Sequence, residues 1–302
     1  MPPLRLLRCR AIVHLGAYGQ FKTEYIQVAL GGVSKIGAGL LAGAALALSS
    51  TTAMSADLYS GGLKDGPMEV NPFTWSVWAG GTSDYIFRGI SQTRRDGTLQ
   101  GGADASYGIF YVGTALSGVN FDSPSSAPAN QVDTHLEIDV YGGIKPVWNG
   151  ITFDFGIISY NYPNQEAGPE LNFVEFKAGA SKTLFSDITG GLTFFYSPDY
   201  TGELGGALAI EGTLSKPIYT YSDVGFTLSG TLGHQMFEED YATPTSKLND
   251  YTYGNVGVTA AYKAFSLDLR YWNTTLEENE APAGVDVFQA GSAFVATAKV
   301  TY

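Results

Sequence analysis

Charge, histidine, cysteine and long apolar runs are all scarce in this sequence. Charged residues make up 15% of its 302 positions, against roughly 25% in an ordinary globular chain. The 17 Lys and Arg are outnumbered by 29 Asp and Glu, a net charge of −12. That excludes a nucleic-acid binder, because a phosphate backbone calls for a basic surface. Cys9 is the single cysteine, so there is no disulfide framework. Histidines number three, and there is no Gly-x-Ser-x-Gly, His-Glu-x-x-His or phosphate-loop pattern. We therefore read a non-enzyme without a cofactor. A membrane helix needs about 20 apolar residues in a row; the run Ile36–Leu48 holds 13. What is abundant is glycine (38), tyrosine (19) and phenylalanine (17). An apolar share of 44% excludes a disordered chain and leaves a Gly- and Tyr-rich β protein.

The first segment does not read as fold. Lys35 precedes the apolar run, and small residues follow it to Ala56. A positive start, a short apolar core and a small-residue cleavage site make a secretory signal, expected at 33–56 with cleavage after Ala56 or Ser55. Residues 1–32 are expected to be an overcalled start, with Val33 as the working one. A genuine Arg-bearing extension (Arg5, Arg8, Arg10) is the alternative. Loss of 1–56 removes five basic residues (Arg5, Arg8, Arg10, Lys22, Lys35), one acidic (Glu24) and Cys9. The mature chain keeps 12 basic and 28 acidic residues, a net of −16. Residues 57–73 read as a periplasmic N-terminal segment and 74–302 as the folded body.

Period-two alternation recurs through that body. Val132, Thr134, Leu136, Ile138 and Val140 alternate with Asp133, His135, Glu137 and Asp139. Ile151, Phe153, Phe155 and Ile157 alternate with Thr152, Asp154 and Gly156. Val174, Phe176, Ala178 and Ala180 oppose Glu175, Lys177 and Gly179, and Phe265, Leu267, Leu269 and Tyr271 oppose Ser266, Asp268 and Arg270. Alternation of this length marks a half-buried strand. Twelve strands are predicted: 74–87, 98–107, 110–121, 132–144, 151–160, 171–182, 187–196, 206–214, 223–234, 250–261, 265–274 and 291–302. Long links (88–97, 122–131, 161–170, 197–205, 235–249, 275–290) alternate with short ones (108–109, 145–150, 183–186, 215–222, 262–264). An even-numbered meander with long loops at one end and short turns at the other is the pattern of an outer-membrane β-barrel, all-β and antiparallel. Both termini then lie on the periplasmic side. Unpaired backbone in hydrocarbon costs several kcal/mol per group, so the first strand must pair with the last.

Aromatics sit near many strand ends. Trp75, Tyr85, Tyr107, Tyr111, Tyr141, Trp148, Tyr160, Tyr162, Tyr200, Tyr219, Tyr251 and Tyr253 are among those read as interfacial girdles, since these rings are apolar at one end and wet at the other.

One stretch resembles a known family. Ser83-Asp84-Tyr85-Ile86-Phe87-Arg88-Gly89-Ile90-Ser91-Gln92-Thr93 is similar to the opening motif of the TorF-like porin family, the Gcw_chp-type conserved hypothetical outer-membrane proteins. Glu137–Gly143, Tyr196–Tyr200 and Leu267–Tyr271 resemble later, shorter motifs. The resemblance spans 74–302; Gly118 departs from it, where a polar residue is expected. It implies an outer-membrane barrel with channel activity and no particular solute. Phe294, Val300 and the terminal Tyr302 resemble the C-terminal signal that barrel-assembly machinery reads.

The polar faces nominate lumen-lining residues: Asp133, Glu137, Asp139, Asp154, Glu175, Lys177, Asp268 and Arg270, with Arg88 near the mouth. Both signs occur, as charges facing water or a partner allow. Arg88, Arg94 and Arg95 are read as holding the first loop folded back, through pairs to Asp84 or a neighbouring strand; binding of lipopolysaccharide phosphate is the alternative. Acidic residues of the long links read as solvated, with no calcium-loop spacing. The expected partners are outer-membrane lipid and lipopolysaccharide, the assembly machinery, and small polar solutes or ions. The expected function is passive diffusion through a narrow charged lumen. A non-conducting anchor or adhesion barrel is the alternative, and a barrel hydrolase a third.

Overall fold

A computed structural model describes residues 73–121, 134–163, 165, 170–238, 242–243, 246–247, 249–276 and 290–302. The leader, the signal segment and most of 57–73 lie outside these residues, as does Asp133. Twelve strands form one closed antiparallel barrel. They are β1 Phe73–Thr82, β2 Thr98–Tyr107, β3 Phe110–Gly118, β4 Leu136–Ile144, β5 Ile151–Asn161 and β6 Phe173–Thr183. The second half comprises β7 Thr189–Ser197, β8 Ala207–Tyr221, β9 Val224–Phe237, β10 Tyr251–Tyr262, β11 Phe265–Thr274 and β12 Ala293–Thr301. Each pairs with its sequence neighbours, and β1 closes on β12 with Trp78 opposite Thr301 and Thr82 opposite Thr297. Closure removes the sheet edge, where rows of backbone donors and acceptors would stay unpaired.

The predicted meander is therefore observed, with long connections at one end and tight turns at the other. At the turn end, Asn149 and Gly150 both take positive φ (50° and 70°), the geometry of a two-residue type I′ turn. Two boundaries differ most from expectation. The link predicted at 215–222 is mostly strand, since β8 and β9 run on to a turn at Ser222-Asp223. Pro217 does not stop the ladder because the register shifts between Pro217 and Tyr219, absorbing the missing N–H in a bulge. At the other end, β1 stops at Thr82 instead of continuing to 87, and 83–97 forms a separate feature described below.

Side chains sort by the alternation. Outward positions are apolar and exposed, among them Leu99, Val112, Leu116, Phe155, Ile157, Leu192, Leu214, Leu232, Val256 and Leu269. Inward positions are buried and largely polar, including Asp104, Ser117, Glu137, Asp139, Glu175, Glu211, Thr231, Asn255, Thr259, Asp268 and Arg270. This inverts a water-soluble protein. An apolar surface that runs all the way round is far larger than the few hundred Å² tolerated on soluble monomers.

The aromatic girdle reading is corrected in half its members. Trp75, Tyr107, Trp148, Tyr219 and Tyr221 do point outward at the turn end, joined by Phe73, Phe110, Phe265 and Tyr302. Tyr85, Tyr111, Tyr141, Tyr160, Tyr162, Tyr200, Tyr251, Tyr253 and Trp272 are instead buried. The hydroxyls of Tyr85, Tyr111, Tyr141, Tyr160, Tyr162 and Tyr253 donate to inward carboxylates, Tyr200 and Tyr251 stack in the interior ring packing, and some of the rings cover inward glycines. The ring of Tyr141 lies over Gly113 and that of Tyr253 over Gly233, where a β-carbon would collide with it.

Candidate functional site

The interior at the long-loop end is built around residues 83–97. After β1, the hydroxyl of Thr82 donates to the Asp84 carbonyl at 2.7 Å, turning the chain inward. Asp84 then accepts hydrogen bonds from the hydroxyls of Ser91 (2.5 Å) and Thr93 (3.0 Å) and an ion pair from Arg95 (3.4 Å). These close a small hairpin in which Ile86–Phe87 pairs with Ile90–Ser91. Its tip is Arg88-Gly89, both at positive φ (46° and 83°), another type I′ turn. A β-carbon at Gly89 would press on Tyr253 and Thr274, so the tip is seated against the barrel wall. Glycine is required there on both counts.

Arg88 is 1% exposed. Its two terminal nitrogens donate to the two carboxylate oxygens of Glu175 on β6, at 2.7 and 2.9 Å, and one also reaches Gln235 on β9 at 3.1 Å. The guanidinium lies over the rings of Phe87 (4.7 Å) and Phe195 (5.0 Å). Glu175 takes a further bond from the Tyr160 hydroxyl at 3.1 Å. A planar fork on a carboxylate with rings on its faces is a geometry lysine cannot reproduce. An arc of rings continues this packing, from Phe87 to Tyr160 (5.8 Å), Phe173 (4.3 Å), Tyr200 (4.9 Å), Phe237 (5.8 Å) and Tyr251 (6.5 Å).

Three more carboxylates line the same end. Glu137 accepts from Tyr85 (2.7 Å) and Tyr162 (2.6 Å), and Glu211 from Tyr253 (2.7 Å). Burial, reinforced by the Glu137 charge, pushes the Tyr85 and Tyr162 hydroxyls well above the ordinary tyrosine range, so both stay protonated and keep donating. Asp139 is also 1% exposed, yet neither of its carboxylate oxygens has a hydrogen-bond partner.

Nearer the turn end, charges are paired. Asp154 on β5 meets Lys177 at 2.6 Å, Lys145 at 3.8 Å and the Tyr111 hydroxyl at 2.7 Å. On the opposite arc, Arg270 and Asp268 pair along β11 at 3.0 Å, with Asn255, Ser229 and Thr259 completing the network. The acid-x-base spacings thus resolve differently. Asp268 and Arg270 hold each other, while Glu175 and Lys177 pair with Arg88 and Asp154.

Among the nominated residues, the structure brings Arg88 and Glu175 together and places Glu137 and Asp139 beside them. Asp154 with Lys177, and Asp268 with Arg270, form separate groups on the inward face. Phe294, Val300 and Tyr302 are on the outward face and exposed. Gln235, Glu211, Asp104, Lys145 and the inward tyrosines were not anticipated. Period-two phasing of β2 and β8 carried the signal for Asp104 and Glu211. His234 lies on the outward alternate, bonded to the Thr252 hydroxyl at 2.9 Å, and His135 is exposed.

A family model described as "Bacterial protein of unknown function (Gcw_chp)" matches residues 68–302. The chain belongs to this family. The stretch Ser83–Thr93, on which the resemblance rested, forms the inserted hairpin. No curated protein matches the sequence. Among solved structures, the chain is similar to the NanC porin (13% identity, 76% of this chain and 99% of that one, TM-score 0.45). It is also similar to the COG4313 outer membrane channel from Pseudomonas putida F1 (12%, 79% and 98%, 0.44) and LpxR from Salmonella typhimurium (11%, 75% and 99%, 0.41).

Proposed function

We propose that this protein is a Gram-negative outer-membrane channel for passive diffusion of ions or small polar solutes, narrowed from the long-loop side by the Arg88 hairpin. The observation that carries the reading is the inversion of the barrel. Its outer face is apolar with an aromatic belt, and its inner face holds charges of both signs. The outward face suits hydrocarbon, where an Arg or Lys at mid-depth costs about 2–4 kcal/mol. The inward face suits water and ions. Eight strands give a filled interior and sixteen to eighteen an open channel, so twelve fits a restricted path. In this reading both termini are periplasmic, Phe294, Val300 and Tyr302 present the last strand to the assembly machinery, and lipid and lipopolysaccharide surround the outer face. Arg88, Glu137, Asp139, Asp154, Glu175, Lys177, Asp268 and Arg270 line the path.

The close packing around Arg88 favours a second reading, a barrel closed at rest that serves as an anchor or partner-binding protein. Conductance in planar bilayers separates the two. A channel gives discrete current steps from the refolded protein. No current over a wide voltage range defeats the channel reading and leaves the barrel intact.

A further inference from the structure

The long-loop end of the interior has a carboxylate whose charge the protein leaves unmet. Four buried carboxylates gather there: Glu137, Asp139, Glu175 and Glu211. Glu175 is matched by Arg88, and Glu137 and Glu211 by tyrosine hydroxyls. Asp139 lies in register between Ala115 on β3 and Tyr160 on β5. Ala115 cannot donate, and the Tyr160 hydroxyl is spent on Glu175. Both oxygens of Asp139 therefore face the interior without a donor, two residues from Glu137 on the same face of β4. Burying an ionised carboxylate with neither donor nor counterion is prohibitively costly, so the charge must be neutralised.

We propose that Asp139 is the anchoring ligand of a site for a monovalent alkali cation, with Glu137 as the second negative group. The hydroxyl oxygens of Tyr85 and Tyr162 donate to Glu137 and retain lone pairs that can face the ion. A monovalent ion fits better than a divalent one. Calcium takes six to eight oxygens, several of them carboxylate, and among the described residues no three acidic, histidine or cysteine side chains converge on one point. The site stands whether or not the barrel conducts.

The test uses the refolded full barrel and rubidium chloride as probe. Crystals grown in rubidium chloride should show an anomalous peak within coordination distance of Asp139, absent in Asp139→Asn. In solution, the unfolding midpoint should rise by several degrees when N-methyl-D-glucamine chloride is replaced by rubidium chloride at equal ionic strength. Asp139→Asn should lose that rise. A folded wild-type barrel with no peak and no shift would overturn the proposal and leave a proton as the neutralising species. An Asn variant that keeps the full shift would equally overturn it. Should Asp139→Asn fail to fold, the wild-type peak and shift alone decide.

Discussion

Replacing Arg88 by alanine should release the hairpin while leaving the barrel folded. The Arg88 side chain ties the hairpin tip to the barrel wall through two bonds to Glu175, one to Gln235 and the ring of Phe195, while the Tyr85 hydroxyl on Glu137 and the Asn120 N–H on the Gln92 carbonyl hold its base. Removing one partner of a buried ion pair costs about 3–5 kcal/mol, because the other charge is left stranded. At about 1.4 kcal/mol per tenfold, the docked-to-undocked ratio should fall by two to nearly four powers of ten. The strand ladders do not pass through Arg88, so the barrel's own pairing is spared. The assay is amide hydrogen exchange in the refolded protein, read at the hairpin amides such as Gln92, which bonds the Tyr85 carbonyl. Protection there should drop by that factor in Arg88→Ala, with β8 and β9 unchanged. Arg88→Lys should fall between, since it keeps the charge and loses the fork. The double variant Arg88→Ala/Glu175→Ala should recover part of the protection, since no bare carboxylate remains. Undiminished hairpin protection in Arg88→Ala would mean that the ion pair to Glu175 does not hold the hairpin in place.

Gly233→Ala should destabilise the barrel by about 1–3 kcal/mol, since the new methyl displaces the Tyr253 ring from its bond to Glu211; denaturant unfolding would measure it. Val256→Arg, on the outward face in mid-strand, should cost about 2–4 kcal/mol in lipid and much less in refolding measured without a hydrocarbon environment. Asp268→Asn should lower stability by about 3–5 kcal/mol because Arg270 loses its buried counter-charge, and it should shift the ion selectivity of any measured current toward anions. Deletion of Tyr302 should slow insertion into bilayers more than it lowers final stability, read from the kinetics of heat-resistant band formation.

Strand count, pairing order and the inward set Glu137, Asp154, Glu175, Lys177, Asp268 and Arg270 were legible because period two is a local signal. The same alternation that places Leu269 outward places Asp268 inward, with no knowledge of partners. Tyrosine was harder to place. Its ring suits an interface and its hydroxyl suits a buried carboxylate, and only the register of several strands reveals that Tyr253 meets Glu211 or that Tyr141 covers Gly113. The inserted hairpin was half legible. Arg88-Gly89 carried its turn chemistry, and a folded-back loop was expected from Asp84. The actual anchor, Glu175, is 87 residues away, a distance that sequence cannot bridge. The link expected at 215–222 is strand instead, because a bulge between Pro217 and Tyr219 lets the ladder run on past a residue with no N–H to give.

Paired single-channel conductance of wild type and Arg88→Ala in planar bilayers tests whether the Arg88 hairpin narrows a channel. A small wild-type conductance that rises several-fold in the variant is the expected result. Equal conductance in the two, or no current from either, would contradict it.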